Sequence, residues 1–159
     1  MTTKADFTPD EWELIVQAPR WVVAAASAAQ RDVGYRTNHE IEQGFVATAH
    51  GRDTGNAFTA EVAIDTLKVF DSRTVVTGTE FQDRAAGLAA ALEKVAVVDR
   101  LLAEKADTED AQAYRRWLIA ITDVVIRAAR SHDIVGFGGE LVTQAEKDFR
   151  DQLVLALQH

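Results

Sequence analysis

Apolar residues crowd positions 14–29 so densely that no polar face can be drawn through them. The run Leu14-Ile15-Val16-Gln17-Ala18-Pro19-Arg20-Trp21-Val22-Val23 passes straight into Ala24, Ala25, Ala26, Ala28 and Ala29. A helix that is hydrophobic all round lies in the middle of a bundle or in a membrane. This one is interrupted by Gln17, Pro19 and Arg20 and falls short of the roughly 20 apolar residues that a membrane span requires. The pattern therefore predicts a central core helix from Pro19 to about Gln30. Proline has no N–H to give the helix and crowds the carbonyl four residues back, so a kink or break at Pro19 is expected. The alanines let neighbouring helices approach closely.

The rest of the chain shows helical periodicity punctuated by caps. Thr8-Pro9-Asp10-Glu11 is a capping box with proline in the first helical position, and Phe7 and Trp12 stand where a hydrophobic staple would place them. Thr37 and Glu40 repeat the spacing and predict a helix to about His50, closed by Gly51. A short polar turn, 51–56, then leads to an antiparallel helix over 57–70. Thr79 with Gln82 predicts the start of a long helix to Lys105, whose stripe Leu88, Ala91, Val95, Val98, Leu102 steps by three and four. A second long helix follows to about Arg130 with the stripe Tyr114, Trp117, Ile121, Val124, Ala128, reinforced by Leu118 and Val125, and Arg115, Arg116, Asp123, Arg127 and Arg130 fall mostly on its solvated face. Thr143 and Glu146 cap the last helix, with Phe149, Leu153, Ala156 and Leu157 inward. Only Thr74 to Thr77 and Val142-Thr143 look extended, so the expectation is an all-α, single-domain bundle of about six or seven helices with at most a minor two-stranded β element.

Composition narrows the function classes. The chain has 159 residues and no cysteine, which removes disulfides, thiolate catalysis and Cys-ligated zinc together. With no basic, apolar leader over Met1 to Asp6, a cytoplasmic protein is the simplest expectation. The net charge of −8 is spread along both halves without a Lys/Arg run. That argues against nucleic acid and against anionic membrane surfaces as partners.

Two ends of the chain resemble a known group. Tyr114-Arg115-Arg116-Trp117-Leu118, Gly136-Phe137-Gly138-Gly139, Val142-Thr143 and Glu146-Lys147, together with the Phe7-Thr8-Pro9-Asp10-Glu11-Trp12 start, are similar to small all-helical bacterial proteins of about this length. The resemblance implies a helical fold and brings no activity with it. The Val-Thr-x-x-Glu helix start also resembles the tellurite-resistance TerB-like helical domains, although that spacing is shared by capping boxes in general.

Candidate chemistry is sparse. Ser131-His132-Asp133 are consecutive, whereas a triad is assembled from separate positions that point at one another, so a polar helix end is expected. Gly136-Phe137-Gly138-Gly139 lacks the strand before it and the Lys after it that a phosphate-cradling loop needs, and is expected to be a tight turn. The helix pair 38–50 and 57–70 is more suggestive. Glu42 and Asp65 are single carboxylates in otherwise apolar rows, and an antiparallel hairpin sets them opposite each other, with His39 and Glu61 one turn away. Those four are candidate ligands for a divalent metal; the alternative places both acids at the solvated edges of their stripes. His39 and His50 are about 16 Å apart along a helix and cannot share one ion.

Two functions are thus expected. The first is a helical interaction module, a homodimer with Trp12 and Trp21 at its interface. The alternative is a small-molecule or divalent-metal-binding protein, an enzyme included, using the carboxylates of the 38–50/57–70 pair.

Overall fold

Thr8 opens the first helix as its spacing implies. The hydroxyl accepts from the Glu11 N–H at 3.3 Å, and the Glu11 carboxylate takes the Thr8 N–H at 2.8 Å. The computed structural model describes residues 1–29, 34–70, 81–128 and 143–158. It is all-helical, with α1 at Pro9–Ala28, α2 at Gly34–Ala49, α3 at Ala57–Val69, α4 at Arg84–Lys105, α5 at Thr108–Ala128 and α6 at Gln144–Ala156. Short 3₁₀ turns occupy Lys4–Asp6 and His50–Asp53. No strand occurs among the described residues, and no helix among them is long and apolar enough to cross a membrane. The extended-looking 74–77 segment and Val142 lie outside the described residues.

The apolar rod is the hub. α1 packs against each of the other five helices, and from Trp21 to Ser27 every one of its residues is buried. Seven consecutive buried positions cover all sides of a helix, which is why no polar face was visible in the sequence. The stripes of the long helices turn inward as expected: Ala91, Val95, Val98 and Leu102 on α4 and Tyr114, Trp117, Leu118, Ile121 and Val125 on α5 are all buried. α2 reaches the hub at Gly44, where a Cβ would stand 2.6 Å from Cγ1 of Val23 and 2.9 Å from Cγ2 of Val125. Only the missing side chain lets α2 lie against α1 and α5 at once.

Of the kink or break expected at Pro19, the break does not occur. α1 runs through it without interruption, and Pro19 itself is buried. The reason lies outside α1. A proline at position 19 leaves the Ile15 carbonyl without its helical donor, and the buried hydroxyl of Tyr114 donates to that oxygen at 2.7 Å. The hydroxyl of Thr66 donates to the neighbouring Val16 carbonyl at 2.9 Å. The Tyr114 hydroxyl of α5 thus closes the gap in the α1 ladder, and Thr66 of α3 adds a second contact beside it. Burial, and secondarily the charge of Asp99, push the Tyr114 phenol well above its ordinary pKa, which keeps it a donor.

Three other boundaries and faces differ from the sequence pattern. α2 starts at Gly34, so Thr37 and Glu40 lie inside a helix and Glu40 is buried; a Thr three residues before a Glu fits a capping box and a helix interior equally well. The cap of α4 is Asp83, whose carboxylate accepts from the Ala86 N–H at 3.1 Å, while Thr79 lies outside the described residues. Arg115 leaves the solvated face: its Nε lies 2.5 Å from Asp99 of α4, a carboxylate with no exposed surface. The last cap is as expected, with the Thr143 hydroxyl and the Glu146 carboxylate each accepting the other's N–H at 3.3 and 3.0 Å.

Candidate ligand-binding cleft

The connection from α2 to α3 is short and tightly tied. After the His50–Asp53 turn, Gly55 takes a left-handed φ of 78°, a conformation glycine adopts without cost. Asn56 then caps α3, its Oδ1 accepting from the Thr59 N–H at 2.8 Å while its Nδ2 donates to Asp110 at 2.7 Å. Asp110 also accepts from the Thr2 N–H at 2.7 Å. Burial works to raise the Asp110 pKa, but the hydrogen bonds from Thr2 and Asn56 outweigh it and hold the carboxyl below its usual value. The turn is thereby locked to the first helical turn of α5.

Between this turn and α5 lies a cleft of about 430 Å³. Its α5 wall consists of Glu109, Ala113, Arg116, Trp117, Ala120 and Val124. Those positions step by three and four and form one helix face. Ala47 and His50 face them from α2 and the turn. Alanine at 47, 113 and 120 leaves the space; Trp117 and Val124 make it apolar. Trp117 is 4% exposed, packs edge-on to Tyr114 at 5.7 Å between ring centres, and its Nε1 is buried without a hydrogen-bond partner among the described residues. Gly51 abuts the ring so closely that a Cβ would be 2.6 Å from Cε2.

The four candidate metal ligands are not gathered. Among the described residues no three His, Asp or Glu side chains form a group able to hold a metal ion. Asp65 instead accepts from Lys68 at 2.7 Å, Lys4 at 2.8 Å and the Trp12 indole at 2.9 Å. Glu61 accepts from the Lys4 backbone N–H at 3.2 Å, Glu42 is exposed, and His39 is half-buried. The two acids of α3 therefore clasp the N-terminal segment, which the sequence showed only as a short polar stretch. The interface candidates are likewise internal. Trp12 packs on Phe7 at 6.0 Å and Phe58 at 6.1 Å, and Trp21 is 9% exposed, with the Lys94 ammonium 5.1 Å from its ring centre. Ser131-His132-Asp133 and Gly136-Phe137-Gly138-Gly139 lie outside the described residues.

The clasp has a pH signature. Hydrogen bonds from Lys4 and Lys68, with a smaller one from Trp12, hold the Asp65 carboxyl far below the usual carboxylate range. A carboxylate whose pKa is depressed by folding stabilises the fold above its unfolded pKa of about 3.9 and loses that contribution as pH falls further. Asp65→Asn is expected to cost about 1 kcal/mol at pH 7, kept small because both lysines are largely exposed to screening. In denaturant titrations the gap between variant and parent should narrow as pH drops below about 4; a gap independent of pH would contradict the ionic character of the clasp.

The cleft was not recognised from sequence. Its one local signal is the pair Ala113 and Ala120 beside Arg116, small residues on a face otherwise expected to carry charge. No protein-family model, no curated protein and no solved structure matches the chain, so its function has to be argued from the chemistry of this cleft.

Proposed function

We propose that the protein binds a small organic molecule in the cleft between the His50–Asp53 turn and α5. The volume of about 430 Å³ falls in the range of roughly 300–1,000 Å³ typical of small-molecule pockets, and the lining sets Ala47, Ala113, Trp117, Ala120 and Val124 beside polar groups of His50, Thr54, Asn56, Glu109 and Arg116 that can orient a ligand. The observation that carries the proposal is Trp117. Its buried Nε1 stands against Gly51, so the ring is a fixed apolar wall beside a hollow that Ala47, Ala113 and Ala120 keep open, the arrangement of a preformed ligand site. Trp12 and Trp21 lie in the chain's own core, which favours ligand binding over self-association. Asp65, taken up by two ammonium groups, favours an organic ligand over a metal.

Thermal melts with phenylacetate and its neutral amide, phenylacetamide, test this. A bound probe at ten times its Kd stabilises by about 1.4 kcal/mol, or about 3–5 °C for a domain of this size. At least one probe should raise Tm, and Ala113→Leu, which fills the hollow, should abolish the rise. A melt unmoved by either probe, or an unchanged response in the filled variant, would overturn the proposal.

A further inference from the structure

We infer that the ligand is a monocarboxylate whose anionic end is held by Arg116 while its apolar end lies against Trp117; this rests on the cleft being a ligand site. The chain carries 25 acidic against 17 basic side chains, so its cations have acids to spare as partners. Lys105 pairs with Glu11, Arg115 with Asp99, Arg150 with Asp123, and both Lys4 and Lys68 pair with Asp65. Arg116 has no ion pair among the described residues, as is also true of Arg20, Arg84, Arg100 and Arg127, but of these Arg116 alone lines the cleft.

The nearest acid on the same face, Glu109, also lines the cleft but sits seven positions earlier, about 10 Å along the helix axis. It leaves the guanidinium unneutralised. A guanidinium presents a planar pair of donors that matches a carboxylate in bidentate fashion. His50, on the opposite wall, adds a ring that can donate a further hydrogen bond to an anion. Around Arg116 its own helix adds Ala113, Ala120, Trp117 and Val124, with Ala47 opposite, while Thr54, Gly55 and Asn56 line the turn side; the helix face suits a short hydrocarbon or aromatic body. One permanent cation beside that apolar face, with Glu109 in the same lining, fits a single negative charge on a partly apolar molecule better than a multiply charged one.

Calorimetric titration of the unmodified protein and of Arg116→Gln with phenylacetate and phenylacetamide separates this inference from the one beneath it. Arg116 is exposed, so the variant should fold normally, and its affinity for the amide serves as the reference for the acid. The unmodified protein should bind phenylacetate at least tenfold more tightly than the amide, and Arg116→Gln should erase that preference. Equal affinity for acid and amide, or a preference that survives in Arg116→Gln, overturns the carboxylate inference and leaves the cleft proposal standing. Failure of both probes overturns the cleft proposal itself. Inorganic phosphate should compete with phenylacetate no better than acetate does; stronger competition by phosphate would also overturn the assignment of a monocarboxylate.

Discussion

Gly51→Ala is expected to destabilise the protein by about 2–3 kcal/mol and to displace the Trp117 ring. The added Cβ would meet Cε2 at 2.6 Å and both Cζ2 and Nε1 at 2.7 Å, distances that real Cβ atoms do not reach. The obstacle is a rigid, buried ring already packed on Tyr114, so strain on this scale is the usual outcome of inserting a methyl group into a filled core. Backbone conformation is not the cause. Gly51 lies in a 3₁₀ turn, and the positive φ in this connection belongs to Gly55. Gly55→Ala should behave differently: nothing stands within 4 Å of a Cβ there, but the φ of 78° costs a non-glycine residue about 1 kcal/mol. Denaturant unfolding together with tryptophan fluorescence checks both variants. A Gly51→Ala protein with parental stability and an unshifted spectrum would mean that Trp117 is not seated against the turn.

Tyr114→Phe is expected to cost about 2 kcal/mol, because it leaves the Ile15 carbonyl buried without a donor. A double-mutant cycle identifies the cause. Pro19→Ala restores the N–H that a helix normally supplies to that carbonyl, so in the Pro19→Ala background the loss of the Tyr114 hydroxyl should cost only about 0.5 kcal/mol. The coupling of more than about 1 kcal/mol follows from two donors serving one oxygen. Additive effects would show that the hydroxyl contributes by some route other than repairing the helix at Pro19.

The same pair explains what the sequence could and could not reveal. The caps at Thr8 and Thr143 and the stripes of α4 and α5 were legible because capping and helical periodicity depend on residues three or four apart. The centrality of α1 was legible because a rod apolar on every side has nowhere else to go. The continuity of α1 was not: the donor that repairs it, Tyr114, lies 99 positions from Ile15. Lys4 belongs to what looked like a polar tail, yet it pairs with Asp65 from across 61 positions, a partner that no local pattern announces. The ion pair of Asp99 with Arg115 was hidden because a periodic pattern assigns arginine to solvent and cannot see a carboxylate buried on the next helix. The cleft was hidden for a related reason. Its walls come from residues 47–56 and 109–124, and only the lock of Asn56 onto Asp110 sets one against the other.

That separation also decides which observation bears most directly on function. The chain has three tryptophans: the Trp12 indole is hydrogen-bonded to Asp65, Trp21 sits under Lys94, and only Trp117 lines the cleft facing His50. In a ¹H–¹⁵N spectrum assigned with single Trp→Phe variants, titration with phenylacetate should move the Trp117 indole signal and leave those of Trp12 and Trp21 in place. A Trp117 signal that stays fixed under saturating phenylacetate would contradict a ligand site in this cleft.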